Sequence, residues 1–458
     1  MTEPYPIFAN LLGHNAVSID PMILEDYGRD RTRDFEPNPS LVAFPSSAEE
    51  VVAVMKVCEE NGFSVVPSGG RTGYAGAAVA ANREVVVSMD RMNRILGVSA
   101  EDGCVETEAG AILQNVQQAV RDHRMMFPID FASRGSCQIG GCISTNAGGL
   151  RVIRYGMTRE SVMGLEVVTP TGQRLDLHDR LHKNNSGYDL KQLFIGAEGT
   201  LGIVTRAVLR TVPIPRSPQV ALLAVPEAET IVRILGELRR KSCDILAFEF
   251  FDHRSMDAVL AHIDGIRKPF TNPYPWFAVI EVDETRDVFM MKIEKLIEQS
   301  WIADALIADA PSEAARIWKY REAISESLFS LGHVHKNDVA VPISALPPFI
   351  RELSGAEKPE GAEVFLFGHL GDGNIHVNLV DRTYSPAFRS AASAWDEAMC
   401  RMVVPYRGTI SAEHGIGLLK KHLLAYQRSP EQLALMRQVK RVLDPKGICN
   451  PGKMFDPL

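Results

Sequence analysis

The residues best placed to do chemistry are His369 and His376, in the run Gly368-His369-Leu370-Gly371-Asp372-Gly373-Asn374-Ile375-His376-Val377-Asn378, together with Glu413 and His414 in the later Ser411-Ala412-Glu413-His414-Gly415. Two imidazoles and one carboxylate form a three-ligand set that suits a divalent metal such as Zn2+, with one position open for substrate. Mn2+, Fe2+ and Co2+ accept the same donors. His414 points away from its neighbour Glu413 and stands outside the ligand set as a proton acceptor. Its unperturbed pKa of about 6.5 lies close to neutrality.

These side chains need a particular backbone. An odd separation would put His369 and His376 on opposite faces of a straight strand, because side chains alternate, so a turn must intervene. Asp372-Gly373 signals a tight primed turn, in which glycine accepts the positive φ. Val364-Phe365-Leu366-Phe367 and Ile375-His376-Val377-Asn378 then become the arms of a hairpin, with both histidines at its mouth and Asn378 on the face of His376.

A second group of residues is suited to an anion. Ser46 or Ser47 caps a helix over Ala48–Asn61, Glu49 and Glu50 stand in capping-box position, and Gly62 marks the stop. A strand from Phe63 to Val66 leads into Pro67-Ser68-Gly69-Gly70-Arg71-Thr72-Gly73-Tyr74-Ala75-Gly76, where backbone N–H groups can nest around a pyrophosphate. The run Gly135 to Gly149 has small side chains and polar donors with almost no charge, a surface able to wrap a large flat cofactor. A third run, Gly196 to Thr205, leads into a strand. Neither Gly-x-Gly-x-x-Gly nor a Walker lysine loop occurs, which argues against a Rossmann NAD domain or a P-loop NTPase.

These runs, with Tyr155-Gly156, Gly187-Tyr188-Asp189-Leu190 and the closing Asn450-Pro451-Gly452-Lys453, resemble the FAD-linked oxidoreductases of the vanillyl-alcohol-oxidase type over nearly the whole chain. The histidine pair with Glu413 and His414 is similar to the branch that oxidises D-2-hydroxy acids. Gly135 to Gly141 and Asn146-Ala147-Gly148-Gly149-Leu150-Arg151 look like D-2-hydroxyglutarate dehydrogenases, with Cys142 where asparagine is common. The resemblance implies an α+β fold: a two-part FAD-binding domain of the PCMH type in residues 1–213 (about 36–213), a substrate (cap) domain with an antiparallel sheet and the metal-binding hairpin in 214–407, and a helical segment, 408–458, folded back on the flavin. It implies FAD contacts at Pro67, Gly69, Gly70, Arg71, Thr72, Gly73, Gly76, Ser136, Cys137, Gly140, Gly141, Thr145, Asn146, Gly148, Gly149, Gly199, Gly202, Ile203 and Asn450.

Three clustered turn residues, Pro213-Ile214-Pro215, mark the linker. Beyond it the pattern predicts strands at 220–225 and 276–282 and helices at 228–240 and 287–299, an antiparallel sheet covered on one face. A helix over 314–325 places Arg321 and Ser325 one turn apart, and a guanidinium beside a hydroxyl suits a carboxylate. Lys336 begins the following strand. The resemblance makes Arg321, Ser325, Lys336 and Asn378 substrate contacts, with serine where threonine is usual. Relatives that oxidise D-lactate tend to carry a small polar residue at the position of Lys336. A lysine and an arginine together neutralise two carboxylates, and a buried cation without one costs roughly 1–3 kcal/mol or more. The expected reaction is therefore oxidation of D-2-hydroxyglutarate to 2-oxoglutarate, by metal-assisted deprotonation of the C2 hydroxyl and hydride transfer to flavin N5. D-lactate, D-malate and glycolate are the alternatives of the same family. A flavin reductase of cell-wall precursor synthesis shares the fold but lacks a use for the metal triad, and a non-catalytic flavin- or metal-binding sensor would leave Arg321, Lys336 and His414 without a joint purpose.

Composition agrees with these readings. The 458 residues suffice for two or three domains, and 45% hydrophobic with 23% charged content is ordinary for a soluble protein. A net charge of −8 offers no footprint for nucleic acid. No apolar run approaches the ~20 residues that span a bilayer, and no signal pattern opens the chain, so a cytoplasmic location is expected. Seven cysteines without a Cys-x-x-Cys pair fit reduced thiols and exclude an iron–sulfur relay. Electrons would leave to an electron-transfer flavoprotein or a quinone, by resemblance; homodimerisation is left open.

Overall fold

The computed structural model describes residues 3–32 and 34–456. The chain divides into two compact units, one comprising residues up to 148, 155–214 and 413 onward, the other residues 149–154 and 215–412.

Among the described residues the first unit holds two larger sheets and a two-stranded ribbon of Met125–Met126 with Val212–Pro213. In one, Leu41–Ala43, Val85–Ser88 and Val65–Ser68 run parallel, with Val17–Ser18 antiparallel at the edge. Strands buried on both faces must be apolar throughout, and Val85, Val86, Val87, Val65 and Val66 are all buried. The crossover helix is Ala48–Asn61, as expected. Ser47 Oγ accepts the Glu50 N–H at 3.2 Å, the Glu50 carboxylate returns to the Ser46 N–H at 2.7 Å, and a left-handed Gly62 ends the helix. Its Val51, Val54, Met55 and Cys58, at helical spacing, face the core. The strand after it is Val65–Ser68, later than the predicted 63–66, because the Phe63 N–H still closes the helix end on Cys58 O at 2.9 Å. The other sheet is antiparallel, in the order Ile95–Ser99, Cys104–Glu108, Ile203–Arg210, Val162–Val168, Arg174–Leu177.

The second unit is a seven-stranded antiparallel sheet in the order Asp304–Ile307, Pro218–Val225, Trp276–Asp283, Ile245–Asp252, Ala362–His369, Asn374–Asp381, His333–Ala340. The predicted strands and the helices Ala228–Arg240 and Arg286–Glu298 are present. The expectation of one covered face is corrected: both faces are covered. Ala221, Leu223, Phe248, Phe250, Ile280 and Leu366 pack under Ala228–Arg240, Arg286–Glu298, Leu346–Gly355 and Phe388–Val403. Leu222, Phe251, Val279, Phe365 and Phe367 pack under His253–His262, Pro311–Glu322 and Ile324–Leu331. The apolar residues of these strands are consecutive rather than alternating, which is the signature of a sheet buried on both sides.

The single helix expected over 314–325 is likewise corrected to Pro311–Glu322 and Ile324–Leu331, meeting at Ala323. Lys336 lies inside the strand His333–Ala340 rather than at its start. Among the described residues no helix is long and apolar enough to cross a membrane.

Candidate active site

The hairpin arms are Ala362–His369 and Asn374–Asp381, in a register that sets Phe367 opposite His376. Their connection is Leu370-Gly371-Asp372-Gly373, longer than the tight primed turn expected from Asp372-Gly373. Gly373 does take the positive φ, 85°, and donates its N–H to His369 O at 3.2 Å. The extra residues are held because Gly371 N–H reaches Phe248 O at 3.1 Å and Asp372 Oδ1 accepts the Asn374 N–H at 3.0 Å. With this register His369, His376 and Asn378 share a face.

Each histidine finds a buried carboxylate directly across the ladder. Glu249 is opposite His369, with Oε1 2.8 Å from Nδ1. Asp338 is opposite His376, with Oδ1 3.6 Å from Nδ1, and its Oδ1 also accepts from Asn374 Nδ2 at 2.7 Å. Both carboxylates are wholly buried. A carboxylate at Nδ1 favours the proton there. Both Nε2 atoms then present lone pairs, and they face each other 3.4 Å apart. With that tautomer, a cation between them would satisfy both lone pairs. The chain reaches Glu413 directly from Ala412, whose N–H donates to Asp338 O at 3.2 Å, next to the Asp338–Ser411 bridge. Ligand atoms of His369, His376 and Glu413 all lie within 4.8 Å of one another. The donor set therefore fits the three-ligand metal reading.

Lys336 stands on the same sheet face, and Arg321 meets that face from the helix Pro311–Glu322. Arg321, buried, pairs through Nη2 with Glu249 Oε2 at 2.8 Å and lies over the Phe367 ring. The contact is an ion pair rather than an aligned hydrogen bond, since Glu249 Oε2 and Arg321 Nε have no hydrogen-bond partner. Lys336 is opposite Asn378 in the ladder, and its ammonium lies over Phe329. Asn378 is buried, with Nδ2 lacking a hydrogen-bond partner. Ser325, half-buried, belongs to the second helix, so the expected one-turn pairing with Arg321 does not run along a continuous helix.

In the first unit the glycine runs meet. Gly69, Gly70, Arg71, Thr72, Gly73 and Gly76 follow the strand that contains Pro67. A Cβ on Gly70 would sit 2.2 Å from Ser136 O and 2.8 Å from the Cα of Cys137, so only glycine permits this approach. A Cβ on Gly199 would come 3.0 Å from the side-chain Cγ of Pro67. The second run is a short helix, Ile139–Thr145, containing Gly140 and Gly141; Thr145 Oγ1 bonds back to Gly141 O, and Asn146 caps it in a left-handed conformation. Cys137 and Cys142 are packed in the hydrophobic core. Gly148 ends a segment of the first unit, whereas Gly149 begins a segment of the second. Gly202 precedes Ile203, the first residue of a strand. Arg71 is occupied locally: its guanidinium donates to Gly69 O at 3.0 Å and covers the Tyr27 ring.

Asn450 closes this cradle, donating Nδ2 to Ala77 O and Glu198 O at 2.9 and 2.7 Å. The buried Lys440 ammonium holds Thr200 O at 2.6 Å and Cys449 O at 2.7 Å. Ser68 Oγ, Gln138 Oε1 and Asn450 Oδ1 are buried polar atoms without partners. Buried groups of this kind call for a ligand's donors, and with the glycine backbone they fit a flavin dinucleotide. The segment bearing His414 is strapped to the first loop: Leu418 and Leu419 N–H donate to Ala75 O, and the His414 ring lies 5.3 Å from that of Tyr74. The carboxylate of Glu198, φ 52°, accepts the N–H groups of Ile416 and Gly417, both at 2.7 Å. Burial nonetheless holds its pKa above the ordinary glutamate value, against those two hydrogen bonds.

Sequence reasoning missed Glu249, Asp338 and Glu198. For Glu249 a signal existed, a lone acid in the apolar run Ile245-Leu246-Ala247-Phe248-Glu249-Phe250-Phe251. Glu198 likewise is the only charged residue between Lys191 and Arg206, whereas Asp338, close to Lys336 and Asn337, carries no such contrast.

Comparison with known proteins locates an FAD binding domain at residues 39–178 and the C-terminal domain of FAD linked oxidases at residues 214–454. A D-2-hydroxyglutarate dehydrogenase of Xanthomonas citri pv. viticola is 45% identical, covering 95% of this chain and 93% of its own length. Another, of Stutzerimonas stutzeri, is 41% identical over 99% of this chain and 100% of its own. In fold, p-cresol methylhydroxylase with substrate bound superposes with a TM-score of 0.77 at 16% identity, covering 98% of this chain and 96% of its own.

Proposed function

Since the chain belongs to the D-2-hydroxyglutarate dehydrogenase family of FAD-linked oxidoreductases, we propose that it oxidises D-2-hydroxyglutarate to 2-oxoglutarate. The observation that carries the substrate reading is a pair of buried donors without acceptors, Arg321 Nε and Asn378 Nδ2, on the sheet face that bears His369 and His376. A carboxylate supplies what such donors lack.

Spacing supports a diacid. The Lys336–Asn378 pair stands one two-residue step beyond Asp338–His376, or ~7 Å along the strands, of the order of the reach of a five-carbon chain. Arg321 and Lys336 then hold the two carboxylates, with Ser325 and Asn378 as neutral partners, so that C2 is oriented for reaction. His369, His376 and Glu413 would hold a divalent metal, which would supply Lewis acidity toward the C2 hydroxyl, and bound FAD would supply the hydride acceptor. His414 takes the hydroxyl proton on its imidazole, from a segment tied to the loop that follows Pro67. Glu249 and Asp338 keep Nδ1 of the histidines protonated and Nε2 directed forward. Electrons pass on to an electron-transfer flavoprotein or a quinone.

The test is the anaerobic visible spectrum of flavin-loaded protein on adding D-2-hydroxyglutarate, D-malate or D-lactate, with a chelated control and a Lys336→Met variant. The diacid should bleach the flavin fast, chelation should stop it, and Lys336→Met should lower the preference for D-2-hydroxyglutarate over D-lactate by about 10- to 200-fold. Bleaching by D-lactate alone would keep the chemistry and overturn the diacid; bleaching by none of them would return the protein to the reductase or sensor readings.

A further inference from the structure

Resting on the metal reading above, we propose that Glu249 is a positioning residue that holds a metal ligand, His369, and a substrate cation, Arg321, in one arrangement. Its strand is apolar on both sides of it, with Phe248, Phe250 and Phe251 all buried, and its own side chain has no exposure at all. An ionised carboxylate in such surroundings is strongly disfavoured unless it is paired and hydrogen-bonded. Its partners are the two groups the reaction uses. Oε1 lies 2.8 Å from His369 Nδ1, and Oε2 lies 2.8 Å from Arg321 Nη2.

The ladder makes the arrangement rigid. Glu249 and His369 are directly paired residues of adjacent strands, so the imidazole cannot turn without losing its acceptor. Asp338 serves His376 in the same sense but at 3.6 Å, with the same oxygen shared by Asn374. His369 is therefore the more tightly held ligand. Arg321 depends on Glu249 in turn, because a buried guanidinium without its carboxylate would be drawn toward other acceptors. One acidic side chain thus sets the direction of a ligand lone pair and the position of a cation for substrate.

The test measures metal binding in the absence of substrate. Flavin-loaded parent, Glu249→Ala and Glu249→Gln are titrated with Zn2+ against a chromophoric chelator, and the same Gln change is made on a His369→Ala background. Loss of the partner should weaken Zn2+ binding by ~10- to 100-fold in Glu249→Ala, with Glu249→Gln intermediate; the near-isosteric glutamine carries the test if the alanine variant does not fold. On the His369→Ala background the glutamine change should leave the residual affinity unaltered. Parental affinity in the Glu249→Gln protein, or an equal loss on the His369→Ala background, overturns the proposal while leaving the metal reading intact. A parent that takes up no Zn2+ at the triad overturns both.

Discussion

The two candidate binding regions are built from opposite materials. The flavin cradle is made of backbone: loops brought so close that a single methyl on Gly70 would meet a carbonyl oxygen, with a few buried polar atoms facing inward. The metal and substrate region is made of side chains standing on one face of a sheet, where Phe251, Phe365 and Phe367 give way to Glu249, His369, His376, Asp338, Asn378 and Lys336. In the first, specificity comes from what is absent from the side chains; in the second, from charges paired across strands. The difference predicts different failures: damage to the cradle should remove the cofactor, and damage to the sheet face should leave it bound and idle.

Gly70→Ala is the severest break. The new Cβ has backbone on the far side and no flexible side chain to displace, so the purified variant should lack the visible flavin spectrum, with activity lost in proportion. A variant that kept full flavin content would show the loop contact to be dispensable. His414→Ala is the converse. Flavin should stay bound while its reduction by D-2-hydroxyglutarate slows by ~10²- to 10⁴-fold, the usual worth of a positioned base; stopped-flow reduction at the parental rate would remove His414 from the role.

The smallest effect sharpens the comparison by asking what a charge does in the backbone-built region. Lys453 is buried, and desolvation lowers its pKa to about 8 despite the nearby Glu84 and Asp30. The folded state therefore resists protonation more than the unfolded chain does. The resulting destabilisation is fully present below about pH 8 and fades as pH rises toward the ordinary lysine value. Between pH 7.5 and 9.5 the parent should gain about 2 kcal/mol relative to Lys453→Met in denaturant titrations; parallel pH curves would show that Lys453 carries no such cost.

Legibility followed the same division. The helix Ala48–Asn61 is legible from its periodicity and caps, and the strands Pro218–Val225 and Trp276–Asp283 from short apolar runs, all of them local signals. His369, His376 and Glu413 were readable because histidine and glutamate beside glycine turns stand out in a linear chain. Glu249 was not, because its meaning comes from a strand register that pairs it with His369 across a long separation in sequence. The break at Ala323 has no glycine or proline to announce it. The turn after His369 was read as too short because its length is set by Phe248 O on another strand.

The closing of the cradle by Lys440 and Asn450 bears on how the protein is made. Its glycine loops leave the ribosome first, and the ammonium that grips Thr200 O and the amide that grips Glu198 O follow only more than two hundred residues later. A nascent chain can fold its early strands as they emerge, but it has no finished pocket to offer. Cofactor loading is thus tied to synthesis of the segment that carries Lys440 and Asn450, and a message cut short before Lys440 would yield a protein unable to retain flavin.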